Sequence, residues 1–174
     1  MLIELTKLEG MPVGAMDEGA AIGIVRRTLV SPEEEKLIAV TVKTDGFWGK
    51  ILVVSIQDIV DIDRSGVVVR SRDALVPPDE IVRVKEIFKK KFSLIGLRVK
   101  DKSGKILGRV SDAVIESESG TICRIYVKSL LNELVYESLQ IEKITWTEVV
   151  IKNEREVRSK VKEDISVQKV PNIA

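Results

Sequence analysis

The residues with chemical reach in this chain are few. There is one cysteine, Cys123; three closely spaced aspartates, Asp58, Asp61 and Asp63; and a run of three glutamates, Glu33 to Glu35. A cysteine or serine nucleophile needs a neighbouring base, and near neutral pH that base is usually histidine. The chain has no histidine, so Ser-His-Asp and Cys-His chemistry are excluded, as are His-bearing zinc sites. A cysteine-only zinc site fails as well, because Cys123 stands alone. The aspartates suggest a hard-cation site, but such sites need several oxygens at a set loop spacing around a turn glycine. These three fall on a strand-like segment whose alternation splits Asp58 from Asp61 and Asp63. They are expected to be surface carboxylates, and Glu33 to Glu35 a solvated turn. No catalytic residue, cofactor or metal is expected, and the chain is not expected to be an enzyme.

One phrase occurs twice. Gly-Ala-Ala-Ile-Gly-Ile-Val runs from Gly19 to Val25, and Gly-Lys-Ile-Leu-Gly-Arg-Val from Gly104 to Val110, an offset of 85. As a phosphate loop it lacks the following Gly-Lys-Ser/Thr and a helix. As a membrane packing motif it lacks an apolar segment of about 20 residues. The same offset carries 37–43 onto 122–128, and a slightly shorter one carries Ile62–Val69 onto Ile144–Ile151. The chain therefore reads as two copies of one module, each a series of short strands punctuated by turns.

In the second copy Asp101-Lys-Ser-Gly104 is a turn and Ser117-Glu-Ser-Gly120 another. Between them a strand carries Gly108, where an internal glycine marks a bend or a close backbone approach. From Thr121 to Lys128 the pattern alternates, with Cys123, Ile125 and Val127 on one face; Ile38, Val40 and Val42 do the same in the first copy. Cys123 is thus expected in the core. Five or six short strands with a bend-forming glycine suggest a small closed barrel, since closure removes exposed edges.

Composition agrees. The 174 residues are 44% apolar and only 4% aromatic, with a net charge of +1. That suits one ordinary or two small globular domains and gives no global case for nucleic acid. One cysteine allows no disulfide framework. The start, Met1-Leu-Ile-Glu4, carries no secretory pattern, and no apolar run is long enough to span a bilayer. A cytoplasmic protein is expected.

Between the copies, Pro77-Pro78 stops the first module. Asp79 is placed as N-cap of a short amphipathic helix, with Ile81, Val84, Ile87 and Phe88 at helical spacing. The tail from Asn153 is charged; Val157, Val161 and Ile165 could line a helix, and the ending at Pro171 suggests fraying or disorder. A basic stripe of Arg83, Lys85, Lys89, Lys90, Lys91, Arg98, Lys100, Lys102 and Lys105 is a candidate anion-binding surface; the bland alternative is a solvated helix face and strand. Phe47-Trp48 and Leu130-Leu131 occupy equivalent connections. Each pair either plugs a barrel end or is an exposed contact point, Trp48 being the favoured anchor.

The segment Leu94–Lys128 resembles the opening of a PRC-barrel domain, the family of the reaction-centre H-subunit cytoplasmic domain and of the C-terminal domain of the ribosome maturation factor. Gly96, Val99, Gly104, Gly108, Val110, Gly120 and 122–127 carry the resemblance. The first copy matches through Gly10, Val13, Gly19, Gly23 and Val25, with Pro32–Glu35 in place of the glycine-bearing turn. The resemblance implies an all-β fold of two small PRC-like barrels in tandem joined by a short helix. The expected division is 1–76, barrel one; 77–92, linker; 93–152, barrel two; and 153–174, tail. It also implies a docking or assembly module without shared catalytic residues. The expected function is a non-catalytic docking or scaffold protein with a protein partner. The alternatives are a ribosome- or RNA-associated assembly factor and peripheral membrane association, both through the basic stripe; a homo-oligomer is also open.

Overall fold

The computed structural model describes residues 1–45, 49–130 and 132–152. The valine- and isoleucine-rich segments form thirteen strands among these residues, with two short α-helices. The first sheet holds β2 (Pro12–Ala15), β3 (Ala20–Ser31), β4 (Lys36–Thr44), β5 (Ile51–Ser55), β6 (Ile59–Ile62) and β7 (Val67–Val69), in the order β5-β4-β3-β2-β7-β6. The second holds β8 (Arg98–Asp101), β9 (Ile106–Glu116), β10 (Ile122–Lys128), β11 (Glu133–Glu137), β12 (Ile141–Ile144) and β13 (Glu148–Ile151), in the order β11-β10-β9-β8-β13-β12. The two orders are the same, strand for strand. Each has one parallel pair, β2 with β7 and β8 with β13. A 3-10 turn joins β5 to β6 (56–58) and β11 to β12 (138–140).

The repeated glycine phrase is part of this construction. Gly19 and Gly104 take positive φ in the turns before the long strands. Gly23 and Gly108 sit where the long strand crosses its neighbour at close range. A Cβ on Gly23 would lie 2.6 Å from the Lys43 carbonyl oxygen, and one on Gly108 2.5 Å from that of Lys128. Only glycine fits there. The expected closed circuit is replaced by an open one: among the described residues no pairing joins β5 to β6 or β11 to β12. Each sheet is thus a curled half-barrel.

The halves interlock. The first strand, β1 (Leu2–Glu4), pairs with β9 of the second sheet, although the sequence places it in the first module. Leu37 N donates to Gly120 O (2.8 Å) and Ile122 N to Glu35 O (3.4 Å), with a Lys36–Thr121 bridge between them. Gly120 and Glu35 are equivalent turn positions, and both have positive φ, +71° and +53°. The helices cross over in the same reciprocal way. α1 (Leu5–Leu8) touches β9, and α2 (Val82–Lys90) touches β3. Asp112 on β9 accepts hydrogen bonds from the Thr6 amide and hydroxyl. Arg27, its counterpart on β3, donates to the carbonyls of Lys91 and Phe92.

α2 starts later than its sequence suggests. Its N-cap is Ile81 and it has no side-chain cap; Asp79 lies in the preceding turn. Val84 and Ile87 are buried, with Ile81 and Phe88 packed against the core. The expected alternation of β4 gives way to burial on both faces from Leu37 to Val42. In β10 the second face stays half-exposed. Cys123 departs from the core position: it is half-buried at a register shift between Ile122 and Arg124, which turns it off the inward face.

Candidate docking surfaces

Among the described residues no group of histidine, cysteine, aspartate or glutamate side chains could hold a metal ion. Asp58 lies in the 3-10 turn, Asp61 on β6, and Asp63 closes the β6–β7 turn. The Asp63 carboxylate accepts from the Ser65 amide (2.7 Å), the Ser65 hydroxyl and the Gly66 amide (3.1 Å). The Ser65 hydroxyl foremost, then these amides, hold its pKa below the ordinary value. Asp101 does the same in the β8–β9 turn, bonded to Ser103 and to the Lys105 amide. These carboxylates build turns.

The nine residues of the basic stripe divide between two surfaces. Arg83 to Lys90 lie on α2, against the first sheet, and Lys91 caps it in the left-handed conformation. Arg98 and Lys100 belong to β8 of the second sheet, with Lys102 and Lys105 in the turn beyond it. Among the described residues, Arg83 pairs with Glu34 (2.9 Å), Lys90 with Glu86 (2.7 Å), Lys100 with Glu148 (2.7 Å) and Lys102 with Glu142 (3.4 Å). Lys90 also lies 3.8 Å over the Trp146 ring, which meets Phe92 edge-on. Glutamates from β12, β13 and the β3–β4 turn are interleaved with the cations, and sequence reading of 83–105 alone does not show them.

Of the four apolar loop residues, Phe47, Trp48 and Leu131 lie outside the described residues, as does the tail from Asn153. Leu130 is fully exposed. It stands with Ile106, 64% exposed, in a depression of about 560 Å³ whose rim carries Arg98, Arg109 and Lys128. The end of the second sheet therefore presents an apolar centre with a cationic border.

A second concavity, of about 610 Å³, lies along the seam of the halves. Leu2, Met11 and Val114 give it an apolar wall, and Lys7, Arg64 and Arg124 line it with positive charge. Sequence reasoning missed it because its walls come from β1, the β6–β7 turn and β10. Only the crossing of β1 to the second sheet brings them together.

Two curled sheets of one strand order, with turn-building carboxylates, define a barrel-type β protein. The family model of the PRC-barrel domain matches residues 1–76. The match falls on the copy that lacks the glycine-bearing turn, where Glu35 supplies the positive φ instead. No curated protein matches the chain. No helix among the described residues is long and apolar enough to cross a membrane.

Proposed function

We propose that the chain is a non-catalytic docking protein made of two PRC-type barrels in tandem, and that it holds a protein partner at the loop end of the second barrel. The observation that carries this is Leu130, a leucine with its whole side chain in water beside a second exposed apolar residue, Ile106. Burying an aliphatic side chain of this size is worth about 2 kcal/mol. An apolar centre with a polar rim is the usual anatomy of a protein interface. Arg98, Arg109 and Lys128 at the rim suit a partner that presents an apolar side chain among carboxylates.

The test is capture of partners on the tagged chain, after nuclease treatment, compared with a Leu130→Ser, Ile106→Ser variant. A nuclease-resistant protein retained by the unaltered chain and lost at least tenfold by the variant supports the reading. Both positions are exposed, so the thermal midpoint should not move. Equal retention by the two chains contradicts it, as does capture that vanishes with nuclease.

A further inference from the structure

Three cations meet across the solvent face of the second sheet. Arg98 of β8 stands directly opposite Arg109 of β9, and Arg109 directly opposite Lys128 of β10. Residues opposite each other on an antiparallel ladder share one face, with Cβ atoms about 5 Å apart. All three are exposed, while their neighbours Val99, Val110 and Val127 are buried. Like charges placed directly opposite each other are destabilising. The fold does not require them: in the first sheet the same register runs through Pro12, Ile24 and Lys43, with a single cation. A glutamate stands at each end of the row, Glu148 across from Arg98 and Glu133 across from Lys128. Glu148 turns instead to Lys100, at 2.7 Å, and Glu133 accepts from the Ser111 hydroxyl at 3.5 Å. Arg109 donates to the Gly96 carbonyl at 2.8 Å, which holds one edge of its guanidinium and leaves it further N–H groups to give.

Positive charge is therefore least compensated at the middle of the row. A carboxylate brings one charge and two oxygens, which a single guanidinium fork can occupy. A phosphate monoester brings a charge of about −1.5 to −2 and three acceptor oxygens. Seated over Arg109, it can accept from both arginines and from the lysine. Leu130 and Ile106 border the same depression, so the residue next to the phosphate is apolar. We propose that Arg98, Arg109 and Lys128 form a binding site for a phosphorylated serine or threonine of the protein partner, with an apolar side chain beside it against Leu130. The proposal rests on the docking reading and names the group that the partner sets on the row. Arginine clusters are a recurrent device for reading phosphorylated segments.

The experiment uses the full chain and three labelled peptides, Gly-Thr-Leu-X-Leu-Thr-Gly with phosphoserine, glutamate or serine at X, with binding read by fluorescence anisotropy. At neutral pH the phosphoserine peptide is expected to bind at least tenfold tighter than either of the others. Its affinity is expected to fall severalfold from about pH 7.5 to about pH 5.5, because the phosphate regains a proton near pH 6 while arginine and lysine stay charged. The glutamate peptide should show no such fall. Arg109→Ile, which installs the side chain that the first sheet carries at this place, is expected to abolish the preference for phosphate. Arg98→Gln, at an exposed position, is expected to narrow it. Equal binding of the phosphoserine and glutamate peptides, or none, would overturn the site, as would a full preference in both variants. Tighter binding to single-stranded RNA or to phosphatidylserine vesicles than to the phosphoserine peptide would also overturn it. Absence of the phosphate preference with Leu130-dependent capture intact removes this site and leaves the docking reading. Phosphate-selective binding that survives Leu130→Ser, with capture equally unchanged, keeps the cationic site and removes the docking reading at Leu130.

Discussion

At the scale of single residues, the structure turns on positions where only one backbone geometry fits. Gly108 combines a φ of +151° with a neighbouring carbonyl oxygen 2.5 Å from where a Cβ would stand. Gly104→Ala meets strain alone, since nothing lies within 4 Å of its Cβ position. Gly108→Ala is expected to cost more than 2 kcal/mol and Gly104→Ala about 1 kcal/mol, a difference that urea denaturation resolves. Both roles were legible in the repeated phrase. Glu35 was not, because glutamate carries no sequence signal for positive φ. Glu116 makes a second prediction. The amide of Ser119 donates to its carboxylate at 2.7 Å. That bond, with further help from the Ser119 side chain, the Glu118 amide and the amino terminus, lowers its pKa from an ordinary 4.5 to about 2. A depressed folded-state pKa gives stability that is complete above the ordinary value and lost as pH falls from 4.5 towards 2. The Glu116 carboxyl resonance should titrate near pH 2; a midpoint near 4.5 would contradict the bond.

At the scale of elements, similar strands of the two sheets meet different surroundings. β4 is buried on both faces, whereas β10 keeps a half-exposed face. The helical spacing of Val84, Ile87 and Phe88 in α2 was readable from the sequence. Its start and its target were not, since no side chain caps it and the sheet it covers is fixed by tertiary contacts with Arg27 and Glu34. Ile87→Ala removes a buried side chain and is expected to cost about 2–4 kcal/mol. Val82→Ala, at a position 82% exposed, is expected to stay within about 0.5 kcal/mol. Equal effects in chemical denaturation would show that the helix does not pack by this face. The basic stripe was legible as a run of charge and illegible as a surface, because the glutamates that pair with it come from other strands.

At the scale of the whole molecule, the two halves form one interlocked body. β1 lies in the second sheet, α1 leans on β9 and α2 on β3, and paired backbone bonds cross at Lys36 and Thr121. Matching turns and apolar patterns in the sequence led to the expectation of two similar halves, and the two sheets do share one strand order. The sequence did not show their reciprocity, since the crossing of three residues at the start has no periodic signature. Interlocking holds the seam groove and the Leu130 end in fixed relation. Scanning calorimetry tests this most directly. The interlocked fold predicts a single transition whose calorimetric and van't Hoff enthalpies agree. Two separable transitions, one for each sheet, would contradict it.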